Sequence, residues 1–214
     1  MIRIFIADDH PIVRQGLRRI VEAGPGLVIA GEAGDAKALL AALDRTPTDL
    51  VLLDVSMPGG PFLETLQQLR AKHPTVRVLV LSVHPEDQWA VRALRAGASG
   101  YLTKDHSPEQ LVEAIRRVYR GGKYVSPTLA EHLAEHLNGA AGGGGQRAPH
   151  ELLSDREFEV MRRLGSGLTV SQIASELAIS AKTVSTYRTR ILEKMAVGTN
   201  AELVRYAARH GLIS

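Results

Sequence analysis

The chain has no cysteine, no long apolar run and little excess charge of either sign. The first absence excludes disulfides and thiolate zinc sites. The second excludes a membrane-spanning helix, since no stretch approaches the roughly 18 apolar residues that one requires. The third removes the simplest electrostatic account of a partner. Formal net charge is +3 over 214 residues. Residues 151–214 carry nine Lys/Arg against seven Asp/Glu, so any affinity for a polyanion must come from a local patch rather than a basic tail. The N-terminus opens on a charged strand pattern without a secretory signal, and a cytoplasmic, membrane-free protein is expected. What is present is an ordinary globular composition, 44% hydrophobic, in a chain long enough for one or two domains.

Residues 1–121 alternate between short apolar runs (2–7, 27–31, 49–54, 76–82 and 99–102) and amphipathic stretches (11–23, 36–45, 61–72, 86–96 and 107–121). Leu39, Leu40 and Leu43 share one helical face, as do Leu63, Leu66 and Leu69. Asp35 is placed to cap one helix, and Ser107-Pro108 opens another with Pro at its first turn. Five strands alternating with five helices predict a five-stranded parallel sheet covered on both faces. Residues 122–149 contain a short amphipathic piece near 128–137 and then a run from Gly139 to Gly145, which reads as a flexible linker. His132 and His136 stand at i, i+4 there; without a third ligand nearby they read as part of a solvated helix. Residues 150–214 are helical throughout, with Ser154 and Glu157 spaced as a capping box, Thr169 and Ser180 as further caps, and Asn200 ahead of the last helix.

Four apolar runs of the first domain end in polar residues: Asp8-Asp9, Asp54, Ser82 and, just past Leu102, Lys104. In a parallel sheet the C-terminal strand ends share one edge, where ligands bind. Three carboxylates, a hydroxyl and an ammonium there suit a divalent cation beside an acyl phosphate. Magnesium takes oxygen ligands and keeps several waters. Asp9 and Asp54 are the direct ligands in this reading, with Asp8 acting through water and the Ser56 carbonyl completing the shell. Lys104 pairs with the phosphate, and Ser82 donates its hydroxyl to it. Each residue alone has an ordinary explanation as a cap, a turn former or a solvated side chain; the joint order and spacing point to one pocket.

These segments, Ala7-Asp8-Asp9-His10-Pro11, Leu52-Leu53-Asp54-Val55-Ser56-Met57-Pro58, Leu81-Ser82 and Gly100-Tyr101-Leu102-Thr103-Lys104, resemble the receiver domain of bacterial two-component response regulators. The resemblance implies a doubly wound, flavodoxin-like α/β fold, and that Asp54 is phosphorylated by a sensor histidine kinase and loses the phosphate slowly by itself. It also implies that Ser82 and Tyr101 rearrange together on activation, although an aromatic on an edge strand equally packs as core. Asp105 stands where many receivers carry a proline with a cis bond, so a trans bond is expected after Lys104.

The segment from Thr169 to Ser185 fits helix, tight turn, helix, with Ile173, Ala174, Leu177, Ile179 and Val184 as the apolar seam. The second of these helices carries Lys182, Arg188, Arg190 and Lys194 against Glu193. Together with Leu153-Ser154-Asp155-Arg156-Glu157, Lys182-Thr183-Val184 and Ile191-Leu192-Glu193-Lys194-Met195, this half resembles the LuxR-type helix-turn-helix, and the whole chain the NarL/FixJ class. That resemblance implies double-stranded DNA as partner, base edges met by Ser185, Thr186 and Thr189, and phosphates met by Lys182, Thr183, Arg188, Arg190 and Lys194. It also implies a homodimer on phosphorylation, paired through the last helix around Leu203, Val204 and Ala207. Tyr187 stands where the family commonly has His. The protein is then not an enzyme beyond its own phosphoacceptor chemistry. Two rivals are an aspartyl-phosphate hydrolase, which usually carries Asp-x-Asp on its first strand, and a regulator that binds DNA without phosphorylation. No glycine-rich phosphate loop supports nucleotide binding.

Overall fold

A computed structural model describes residues 1–82, 86–126, 129–131, 148–177 and 179–213. The chain divides into two compact units, Met1–Asn138 and Gly139–Ser214. In the first, strands β1 (Ile2–Ala7), β2 (Leu27–Ala33), β3 (Leu50–Asp54), β4 (Arg77–Ser82) and β5 (Gly100–Thr103) alternate with helices α1 (Pro11–Ala23), α2 (Ala36–Leu43), α3 (Phe62–Lys72), α4 (Glu86–Arg95) and α5 (Pro108–Tyr119). All strand pairings are parallel, in the order β2-β1-β3-β4-β5. The order reverses between β1 and β3, so the switch point of the sheet lies between the end of β1 and the end of β3.

The apolar runs become strands because both faces are covered. Ile4, Ile6, Leu50, Leu52, Leu79, Leu81 and Leu102 pack with Leu17 and Val21 of α1 and Leu111, Ile115 and Val118 of α5. Their neighbours Phe5, Val51, Leu53, Val78, Val80 and Tyr101 are equally buried and point to the opposite face, as strand alternation requires. The β1–β2 register slips between Ile4 and Phe5. Gly31 permits this irregularity, since a Cβ there would stand 2.6 Å from the Phe5 ring. Asp35 caps α2 by accepting from the Ala38 amide at 2.8 Å, and Ser107 forms a capping box with Gln110 at the start of α5.

Residues just past the expected linker start at 122 pack on the first unit. Tyr124 bridges to Gly100 in parallel, accepting from the Tyr101 amide and donating to the Ser99 carbonyl. Lys123 Nζ donates to the Ala98 carbonyl at 2.5 Å, and Leu129 is fully buried. The backbone past α5 thus covers the open edge of β5, a strand edge that would otherwise leave unpaired polar groups. Gly100 makes room for it, because a Cβ there would meet the Tyr124 carbonyl at 2.8 Å. His132, His136 and the Gly139–Gly145 run lie outside the described residues.

The second unit comprises a 3-10 turn (Pro149–Leu152) and helices α6 (Asp155–Gly165), α7 (Val170–Glu176), α8 (Ala181–Lys194) and α9 (Asn200–Arg209). The caps at Ser154, Thr169 and Ser180 form as predicted, the first two as full capping boxes. At α9 the cap is Thr199, boxed with Glu202, rather than Asn200. Asn200 occupies the first helical position, and its Oδ1 accepts from Arg188 Nε at 2.7 Å. Phe158, Met161, Ile173, Val184, Ile191, Leu203 and Ala207 are buried. Ala174 and Leu177 of the predicted seam are buried as well, while Ile179 is partly exposed. Leu203 and Ala207 therefore belong to the core, with α9 packed on α6, and are unavailable as an outward pairing face. Of the three residues expected there, Val204 alone keeps exposure. No described helix is long and apolar enough to cross a membrane.

Candidate functional site

The parallel sheet brings the predicted polar residues to one edge. Asp8 and Asp9 follow β1, Asp54 ends β3, Ser82 ends β4 and Lys104 follows β5. The Lys104 amide donates to the Ser82 carbonyl at 2.7 Å. All described peptide bonds are trans, including the one after Lys104. Lys104 Nζ donates to Asp8 Oδ2 at 2.6 Å and stands 3.1 Å from Asp54 Oδ1. The ammonium thus bridges two carboxylates that are almost completely buried, Asp8 at 1% exposure and Asp54 at 3%. Asp54 Oδ2 is buried and has no hydrogen-bond partner. Asp9 stands at the mouth, partly exposed, with Oδ1 2.7 Å from His10 Nδ1.

The charges interact strongly. Burial raises the pKa of Asp54, and the neighbouring Asp8 adds to this; Lys104 and the Ser56 amide oppose it without cancelling it. For Lys104 burial acts downward but is outweighed by its bonds to Asp8 and Asp54, so its pKa ends raised. An anionic Asp54 in this place is under-neutralised, because one ammonium serves two carboxylates. The orphaned Asp54 oxygen and the hard oxygen donors around it fit a divalent cation. One ligand atom from each of Asp8, Asp9, His10 and Asp54 lies within 4.8 Å of the others.

Ser82 and Tyr101 are both fully buried. In register Val80 pairs with Tyr101 and Ser82 with Thr103, so alternation places Tyr101 and Ser82 on the same face of the sheet. Sequence reasoning missed two contributors. His10 donates its amide to Asp8 Oδ1 at 2.8 Å, and Arg14 Nη1 donates to the Asp8 carbonyl at 2.7 Å. His10 had a signal in its adjacency to the Asp pair. Arg14 had none, because its contact depends on how α1 lies against the sheet.

In the second unit, Lys182, Thr183, Ser185, Thr186, Thr189 and Arg190 are exposed on α8. Thr186 and Thr189 each donate their hydroxyl to the carbonyl four residues back, Lys182 and Ser185, at 3.0 and 3.2 Å. Two of the predicted cations are otherwise engaged. Arg188 is held by Asn200, and Lys194 Nζ donates to the buried Glu157 Oε2 at 2.6 Å. That Glu belongs to the α6 capping box, so Lys194 also ties α8 to the start of α6.

The two units match separate families. Residues 4–116 match the response regulator receiver domain, and residues 151–207 match the luxR family of bacterial regulatory proteins. Over the full chain, the protein is 37% identical to the response regulator GacA of Pseudomonas viridiflava, spanning 98% of it. It is 35% identical to the response regulator UvrY of Escherichia coli, over 99% of this chain and 96% of that one. Among solved structures, RcsB of Salmonella typhimurium superposes with a TM-score of 0.76 at 26% identity, covering 97% of each chain. RcsB bound to the rprA promoter in the presence of the phosphomimetic BeF3⁻ gives 0.70 at 27% identity, covering 97% of this chain and 99% of that one. The chain belongs to the NarL/FixJ-class response regulators, DNA-binding transcription regulators that join a receiver domain to a LuxR-type helix-turn-helix.

Proposed function

We propose that this cytoplasmic regulator is switched by phosphorylation of Asp54 by a sensor histidine kinase. The observation that carries the reading is the buried, unpartnered Asp54 Oδ2 beside a Lys104 ammonium shared with Asp8. An Asp54 oxygen attacks the phosphorus of a phosphohistidine; the O–P bond forms as the P–N bond breaks, and the departing imidazole takes a proton from water. Asp8, Asp9, Asp54 and the Ser56 carbonyl would hold magnesium, which supplies neutralisation of phosphoryl charge when bound. Lys104 then gives up its contact with Asp54 and follows the phosphoryl oxygens, keeping Asp8 as its anchor. Ser82 donates its hydroxyl to a phosphoryl oxygen, and Tyr101, buried on the same sheet face, moves with it.

The output is an active homodimer on double-stranded DNA. Lys182, Thr183 and Arg190 meet phosphates, while Ser185, Thr186 and Thr189 meet base edges from α8 in the major groove. Because Thr186 and Thr189 spend their hydroxyl protons on the helix backbone, their oxygens act as acceptors, which suits the exocyclic amines of adenine and cytosine. Arg188 and Lys194 reach phosphates only by releasing Asn200 and Glu157.

The test treats the full chain with acetyl phosphate and magnesium, then follows intact mass and DNA footprinting. Wild type gains one phosphoryl group and a tighter footprint. Asp54→Asn gains neither; phosphodonor-stimulated DNA binding that survives this substitution would overturn the reading.

A further inference from the structure

The acidic pocket has an imidazole at its rim for which the oxygen-only magnesium scheme has no use. We propose that His10 is a ligand of this pocket and biases it toward borderline first-row metals over magnesium, an inference that rests on the pocket being a cation site. The backbone of His10 is held on both sides. Its amide donates to Asp8 Oδ1 at 2.8 Å, and its carbonyl accepts from the Arg14 amide at 3.1 Å. Extended backbone at His10 (φ −88°, ψ 112°) followed by Pro11 at the first turn of α1 fixes where the side chain leaves the chain.

The ring is already among the carboxylates. Nδ1 lies 2.7 Å from Asp9 Oδ1 and 3.5 Å from Asp8 Oδ1. Adjacent ligands of an octahedral ion with bonds of about 2.1 Å stand about 3 Å apart, and opposite ones about 4.2 Å. The four candidate ligand atoms, one from each of Asp8, Asp9, His10 and Asp54, span no more than 4.8 Å. A second observation is independent of this rim: Asp54 Oδ2 is buried without a partner, while Lys104 occupies Asp8 Oδ2 and Asp54 Oδ1 and the His10 amide takes one lone pair of Asp8 Oδ1.

Donor chemistry sets the consequence. Carboxylate, carbonyl and water suit magnesium; an imidazole nitrogen favours cobalt, nickel and zinc. An ion pair between His10 and Asp9 would account for the 2.7 Å contact alone, but it would not alter which metal the pocket prefers. That difference is measurable.

The experiment uses the untagged full-length chain, titrated calorimetrically with MgCl₂ and with CoCl₂, alongside proton NMR of the cobalt form. Wild type is expected to bind cobalt more tightly and to show hyperfine-shifted imidazole N–H resonances. His10→Ala should weaken cobalt roughly tenfold, remove those resonances, and weaken magnesium much less. Equal losses for both metals, or unchanged cobalt binding, would overturn the assignment. Cobalt binding that is undiminished in Asp54→Asn would place the ion on other histidines and overturn it too. If magnesium does not bind and acetyl phosphate leaves Asp54 unmodified, the pocket reading itself fails. If both succeed without a His10-dependent preference, the ligand assignment alone fails.

Discussion

The receiver unit keeps its candidate site side chains inside, whereas the helical unit lays its candidate DNA contacts on its surface. Asp8, Asp54, Ser82 and Tyr101 are all buried, and the Asp8–Lys104–Asp54 bridge joins strand ends far apart in the chain. On α8, by contrast, Lys182, Ser185, Thr186, Thr189 and Arg190 are exposed, and what positions them is the apolar side of the same helix, Val184 and Ile191. Burial makes charge chemistry strong in the first unit, because desolvation and scarce neutralisation raise the free energy of an ionised Asp54. Exposed cations such as those of the second unit each contribute modestly to holding a polyanion, and salt weakens them. A buried site is therefore altered by changing one atom in it, and a surface site by changing the helix that carries it.

Core truncation gives the largest effect and tests whether the units are energetically separate. Leu52→Ala and Phe158→Ala should each cost about 2–5 kcal/mol. Differential scanning calorimetry of the full chain should show each lowering one transition only; a shared shift would break the comparison. Next comes the Glu157–Lys194 tie. Burial acts upward on Glu157, yet Lys194 and Ser154 outweigh it and hold its pKa below the ordinary value. A depressed carboxylate stabilises the fold above its unfolded-state value of about 4.3 and loses that contribution as pH falls through the folded-state value. The helical unit should thus weaken with acid below about pH 4.3, and Lys194→Met, costing about 2 kcal/mol at pH 7, should flatten that part of the profile. Denaturant melts from pH 3 to pH 7 would show it.

Arg190→Ala sharpens the contrast from the other side. It should reduce the salt slope of DNA binding by about one and leave the melting transition in place. Lys194→Ala, though on the same helix, should lower the melting transition; salt titrations and calorimetry on the pair separate the roles. The smallest expected change is at Ala196, a non-glycine residue at φ 53° that follows α8, where the Val197 amide closes the turn on the Leu192 carbonyl. Ala196→Gly should stabilise the helical unit by at most about 1 kcal/mol, since glycine adopts this conformation without a Cβ penalty. A calorimetric loss would show that the turn is held from elsewhere.

Much of the fold is legible in the sequence because the signals are short-range. Alternating runs and helical spacing foretold all five strands and five helices of the receiver unit. Asp35, Ser154, Thr169 and Ser180 announced their caps, since a cap needs only a neighbour two or three residues on. The pocket could be anticipated because parallel strands end on one edge, so any polar residue at a strand end is delivered there. Asn200 misled for the same local reason: Thr199 and Asn200 are both good caps, and the choice fell to Thr199 once Arg188 engaged the Asn side chain.

By itself, then, the order of residues determined the elements, their caps and the set of groups at the sheet edge, all of which depend on interactions within one or two turns or on strand direction. Tertiary structure alone decided which atoms pair. It put Lys104 on Asp8, 96 positions away, turned Leu203 and Ala207 inward, spent Lys194 on Glu157, folded Tyr124 onto β5 and brought His10 against Asp9. The reason is physical: a side chain's partner is set by burial and by competition among distant neighbours, and that competition exists only once the chain has closed around its core.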